Sequence, residues 1–299
     1  MEGQLFELLY RLIVPLGKLR ARTRGQVYRD YQIALILLWA ALWNRPRSWA
    51  LKLENWQGRC PWATLPSEGT VSRRARSIGV WLLFCQLLDL LNAALSASMF
   101  KRIDAHPLAV GGASKDKEAK CGFGAGKLVK GYKLHEIRSG QDHLDAWTFT
   151  PMSEREQTAA ATLMTRLTGS GYLVGDNGYD SNALYQLAGS QGYQLVAPPR
   201  ATSKARGHHR HAPQRLRGLA LLENPLACAG QPPTFGQDLL KDRRAIERNF
   251  AHEQTTPCCH LGPLPFWVRT PHRVGPWILC KLILYYGQRR LKTKDLRAA

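Results

Sequence analysis

The segment LVGDNGYDSNALY, residues 173–185, runs from a short apolar stretch through two acids into a helical pattern. Leu173 and Val174 predict the end of a buried strand, and Asn177-Gly178 directly after Asp176 predicts a tight turn. Asp176 therefore stands at the lip of a strand on stiff backbone. Asp180 has a plainer reading: Leu184 and Leu187 keep helical spacing, so Asp180 is expected to cap that helix. Asp176 has no such task, and the elements around it decide the fold.

Upstream, MFKRIDAHPLAV (99–110), KLVKGYKLHEIRS (127–139) and LDAWTFTPM (144–152) predict three strands. The long polar loop 111–127 between the first two is rich in glycine but has no GxxxxGK[ST] pattern, so no phosphate-cradling loop is expected. SEREQTAAATLMTRL opens with Ser153 and Glu156 at capping-box spacing and predicts a helix. After GYLVGD come a helix over DSNALYQLAGSQG, a fifth strand YQLVAPP, and an amphipathic helix GQDLLKDRRAIERNF. A three-stranded meander leading into alternating helix and strand predicts an α/β domain, an RNase H-like mixed sheet flanked by helices, over residues 98–299.

The front end differs in texture. FELLYRLI, YQIALILLWAALW and VWLLFCQLLDLLNAAL are apolar runs of helical period, and residues 1–97 are read as an all-helical DNA-binding domain. Its short basic segment TVSRRARSIG sets Arg73, Arg74 and Arg76 on one or two turns, as a DNA-reading helix would or as a plain exposed basic helix would. Trp39, Trp43, Trp49 and Trp56 lie in apolar settings and are assigned to core packing. The run 33–43 is too short to span a bilayer, so no membrane partner is expected.

Charge narrows the partner. Against 42 Lys+Arg stand 22 Asp+Glu, a net charge of +20, and a folded chain this basic favours a polyanion, most simply nucleic acid. Both regions share the excess, with 13 basic and 6 acidic side chains in 1–97 and 29 against 16 in 98–299. No acid occurs between Asp180 and Glu223, and the turn-rich stretch 200–217 is expected to lie on a nucleic-acid backbone. Seven unevenly spaced cysteines argue for reduced thiols in a cytosolic compartment. The first residues show no basic leader, so no signal peptide is expected. Zinc held by Cys258, Cys259, His260 and His272, or by His208, His209 and His211, lacks the paired CxxC spacing.

In such a sheet the first and fourth strands commonly lie side by side. The acid on the first is Asp104, among Phe100, Ile103 and Leu108, where an unpaired charge is costly. A third acid from a helix crossing these strands is best supplied by Glu247, which shares a helix face with Arg243. The separations, 72 and 71 residues, require the fold to gather these acids. Three hard carboxylates at one point call for divalent cations of oxygen preference, Mg²⁺ or Mn²⁺, two ions in the arrangement that activates water or a 3′-hydroxyl. Each acid also has an ordinary reading: Asp104 as a salt-bridged strand residue, Asp176 as a turn residue, Glu247 as a surface pair with Arg243.

Together RIDAHPLAVGGASKDKE, KGYKLHEI, LVGDNGYDSNALY and RRAIERNF resemble the DDE-type transposases of bacterial insertion sequences, a likeness that also takes in the helical front end. The resemblance implies Asp104, Asp176 and Glu247 as catalytic and metal-binding residues. Its D-x-G-Y-D pattern is met by Asp176, Gly178, Tyr179 and Asp180. Of the Y-x2-R-x3-E-x6-K signature of one large group, Arg243 and Glu247 are present, while Leu240 and Gln254 replace the tyrosine and lysine. DNA contacts are then expected from Arg243, Tyr179, Lys133, Arg73, Arg74 and Arg76. The implied activity is metal-dependent cleavage at element ends followed by strand transfer, by a dimer or higher assembly on double-stranded DNA, in the bacterial cytoplasm at the nucleoid. The alternatives are a metal-dependent nuclease of the same fold, or a transposase-derived DNA-binding protein without catalysis.

Overall fold

The computed structural model describes residues 2–21, 25–111, 113–124, 126–200, 211–223 and 235–298, and they fall into two compact units, 1–94 with 253–299 and 95–252. The first is helical: α1 (Glu2–Lys18), α2 (Asp30–Leu42), the short α3 (Glu68–Arg74), α4 (Ile78–Asn92) and the carboxy-terminal helix α9 (Pro271–Ala298). α2 is apolar on nearly every face and is buried from Ile33 to Leu42 except at Leu37, so the others pack around it. Trp39 stacks on Trp56 at 4.9 Å, and their indole N–H groups donate to the carbonyls of Asn55 and Ala50. The expected boundary assigned everything after residue 97 to the sheet domain. Instead α9 packs on α4, α2 and α1, because its buried face, Val274 to Tyr286, is as continuous as theirs.

The second unit carries a six-stranded mixed sheet: β1 (Phe100–Ala109), β2 (Lys120–Gly124), β3 (Lys127–Ser139), β4 (His143–Pro151), β5 (Gly171–Val174) and β6 (Tyr193–Val196). β1 lies between β3, antiparallel to it, and β5, parallel to it; β6 extends the parallel side, and β4 pairs the far edge of β3. This is the RNase H-like arrangement. The glycine-rich loop holds one strand more than expected, since β2 forms a hairpin with the first residues of β3.

Alternation along the strands sorts the two faces. Ile103 and Ile137 pack with α5 (Glu156–Met164) and α6 (Asn182–Ser190) in the main core, together with Leu173, Leu195 and Tyr179. Their neighbours Arg102, Asp104, Glu136 and Arg138 turn to the other face. Arg138 is wholly buried between Glu136 and Asp142 and pairs with both. Beyond β6, α7 (Pro213–Glu223) covers that strand. Helix α8 (Phe235–Thr255) is fastened to the sheet by Arg102, whose guanidinium reaches Asp242 at 2.6 Å, and by Phe235 against Phe100 and Tyr172.

Candidate active site

The parallel pairing of β1 with β5 ends at Arg102 opposite Val174. Asp104 stands two residues further along β1, and Asp176 two residues beyond the end of β5, near enough that its charge bears on Asp104. Asp176 is held there by its own turn: its side chain accepts the Gly178 N–H at 2.8 Å and caps the 3-10 turn Asn177–Tyr179. A β-carbon on residue 178 would fall 2.8 Å from that carboxylate oxygen, so the close approach requires glycine. Asp104 accepts the N–H of Ala105 at 2.8 Å.

Neither carboxylate is adequately neutralised. Burial pushes Asp104 up to about 7; the hydrogen bond from Ala105 opposes this, the nearby Asp176 and Glu156 add to it, and Arg243 draws it back. Burial likewise raises Asp176, against its Gly178 hydrogen bond, with Glu156 repelling and Arg243 attracting. Arg243 thus sits electrostatically between both acids. One of its nitrogens lies 3.6 Å from Asp104, the other 2.9 Å from Glu247 one turn along α8. Glu247 reaches the cluster through Arg243 rather than directly. Among the described residues no three His, Cys, Asp or Glu side chains meet in metal-ligand geometry.

Glu156 was read from sequence only as half of a capping box. In the structure Arg155 holds the cap position and Glu156 opens α5 beside the two aspartates, with its carboxylate on Lys133 at 2.7 Å. Its one visible signal is that it follows the meander directly, at the helix end nearest the strand tips. The same contact occupies Lys133, one of the residues expected on DNA, which is largely buried.

Tyr179 departs from expectation too. Its ring is fully buried in the core, where the missing side chain of Gly175 makes room for it, so it presents no face to DNA. Its hydroxyl has no hydrogen-bond partner among the described residues and feels Asp104, Glu156 and Asp176, which with burial raise it well above the usual phenol value. Asp180 is not the helix cap, a position taken by Ser181. It forms a buried two-pronged pair with Arg215 at 2.7 and 2.8 Å and accepts the Arg200 N–H, so that hydrogen bonds overcome its burial and hold it below the ordinary carboxylate range. Of the basic stretch 200–217, residues 201–210, with Lys204, Arg206, Arg210, His208 and His209, lie outside the described residues. In the helical unit Arg74 is committed to Asp30 and the Tyr28 carbonyl, whereas Arg73 and Arg76 are exposed.

Residues 102–258, which contain all three expected acids, match the sequence profile of the transposase DDE domain. The chain belongs to the DDE transposase family. No curated protein matches this transposase sequence. Among solved structures it is similar to a piggyBac transposase in a synaptic complex with hairpin DNA, with 11% identity and a TM-score of 0.36 over 71% of the chain. The chain spans about half, 54%, of that protein's length. No helix among the described residues is long and apolar enough to cross a membrane.

Proposed function

We propose that the chain is a DNA transposase that cuts at the ends of its element and joins the freed 3′-hydroxyl to target DNA, with Asp104, Asp176 and Glu247 as its catalytic acids. The observation that carries this reading is the proximity of Asp104 and Asp176, two part-buried carboxylates raised first by burial and then by neighbouring acids, in a chain of the DDE transposase family. The donor set fits divalent cations of oxygen preference: Asp104 and Asp176 would hold them, with Glu247 from α8. Two Mg²⁺ or Mn²⁺ ions bound there would supply Lewis acidity at phosphorus and a water acidic enough to attack it.

The chain's own residues do the positioning. Arg243, spanning Asp104 and Glu247, is placed to meet the charge on a phosphate entering beside the acids. Water displaces one strand's 3′-oxygen at the element end, and that 3′-hydroxyl then displaces a 3′-oxygen of the target, each by in-line attack with one P–O bond formed and one broken. Arg73 and Arg76, exposed on the helical unit, join the wider positive charge in holding double-stranded DNA in a dimer or higher assembly, in the bacterial cytoplasm at the nucleoid.

The test is cleavage of a labelled duplex carrying the element's end, with Mg²⁺ or Mn²⁺, comparing the native chain with Asp176→Ala. Metal-dependent cleavage lost in the variant while DNA binding persists is the expected result, and strand-transfer products in the same gel separate transposase from nuclease. Equal cleavage by both proteins removes Asp176 from the chemistry. Binding without any cleavage identifies a DNA-binding descendant.

A further inference from the structure

The helical unit encloses a cavity of about 230 Å³ that the catalytic reading does not use. Four guanidiniums line it, from Arg45, Arg47, Arg76 and Arg273, and one carboxylate, Glu68. Glu68 is mostly exposed and meets Arg47 only at 3.8 Å, so it leaves most of that charge unanswered. Burial is the first cause lowering the Arg47 pKa, repulsion by Arg273 and Arg76 adds to it, and Glu68 opposes without reversing it, as expected where cations outnumber anions. The rest of the wall is flat and apolar, with the indoles of Trp267 and Trp277, Pro46 and Pro276. Lys281 stands over the Trp277 ring at 4.9 Å, and Phe266 meets the Trp267 ring edge to face at 4.8 Å. The Trp267 indole N–H is buried and has no acceptor among the described residues.

Four guanidiniums against one carboxylate call for a phosphate, an indole wall calls for a planar ring, and the carboxylate calls for a ring edge bearing a donor. The volume lies below the roughly 300–1,000 Å³ of pockets for drug-sized ligands, which suits a small ligand. We propose that this cavity is a nucleoside-phosphate site, with the base against the indole wall, its edge read by Glu68, and the phosphate on Arg47, Arg76 and Arg273. The ligand is either an unpaired nucleotide at the end of a DNA strand or a free nucleotide. The DNA-strand source rests on the proposed DNA activity; the pocket's chemistry does not.

Calorimetric titration of the full chain with dAMP, deoxyadenosine and inorganic phosphate tests this. Binding of dAMP is expected, with the nucleoside and phosphate each weaker by about tenfold or more, the value of one lost charge-assisted contact or ring contact. Arg76 and Arg273 are exposed, so Arg76→Gln with Arg273→Gln is expected to weaken dAMP by about tenfold or more without unfolding the chain. Trp267→Ala should weaken dAMP, and Trp267→Phe should restore most of it. Unchanged dAMP affinity in these variants, or phosphate binding as tightly as dAMP, overturns the site. A duplex with a single-nucleotide overhang that outcompetes both blunt duplex and dAMP assigns the DNA strand as source; dAMP outcompeting the overhang assigns the free nucleotide. Asp176→Asn should leave dAMP binding intact, so failure of the cleavage reading and failure of this pocket appear in separate measurements.

Discussion

Asp176 and Asp180 sit four residues apart in one turn of chain, yet their surroundings ask opposite things of them. Asp180 is gripped by Arg215 and by the Arg200 backbone and is held below its ordinary pKa. Asp176 is part-buried near Asp104 and Glu156, has only the more distant Arg243 as a counter-charge, and is raised by burial first. A buried acid with its own arginine is a structural bolt; a part-buried acid left short of positive charge is an electrostatic demand that a bound cation can meet.

Exchanging charge for amide at the two sites should separate them. Asp176→Asn is expected to lower metal-dependent DNA cleavage by about 10³-fold or more while leaving the urea midpoint near that of the native chain. Asp180→Asn should do the converse. It leaves Arg215 buried without its counter-charge and should cost about 3 kcal/mol in urea unfolding. If both variants lose activity and stability together, the division between bolt and demand fails.

Asp104 sharpens the contrast through pH. Its folded pKa, about 7, lies above that of the unfolded chain, so its ionisation opposes folding progressively as pH rises from about 4 to 7. Without metal, Asp104→Asn should therefore stabilise the protein at pH 8, by on the order of 2 kcal/mol, and change little at pH 3.5. Thermal unfolding of both proteins across that range checks the sign. Saturating Mg²⁺ should raise the native midpoint and leave that of Asp104→Asn almost unmoved.

The smallest effect is expected in the helical unit, where Arg73 and Arg74 repeat the contrast with opposite charge. Arg74→Ala, which frees Asp30, should cost about 1 kcal/mol of stability. Arg73→Ala should cost less than about 0.5 kcal/mol and instead reduce the salt dependence of DNA binding.

Much of this was legible before any coordinates. LVGD and KRIDAHPLAV announced two strands with an acid on or just past each, because apolar runs and turn residues are local signals, and the parallel pairing of those strands brought the acids near one another. Arg243 and Glu247 were tied by helical spacing, which is local as well. What the sequence hid was non-local. Nothing near Glu156 reveals that its helix starts beside Asp176, and nothing near Asp180 reveals that Arg215 will take it from its capping role. Tyr179, directly past Asp176, read nearly equally as a DNA contact or a packing residue, and only Gly175 hinted that the ring would fold underneath. The helix α9 was joined to the wrong region because an apolar face says that it will be buried, not against what.

The Arg102–Asp242 clamp has a consequence for how such chains can vary. Arg102 and Asp104 stand two residues apart on β1, while Asp242 and Arg243 are consecutive on α8, so strand and helix are pinned together at two successive rungs. Chain length before Phe235 is free to change without moving Glu247. Between Asp242 and Glu247 a single inserted residue would rotate the glutamate by about 100° around the helix, away from Arg243. On the proposed reading those six residues are the ruler by which Glu247 is measured out, and homologous chains should differ in length elsewhere sooner than there.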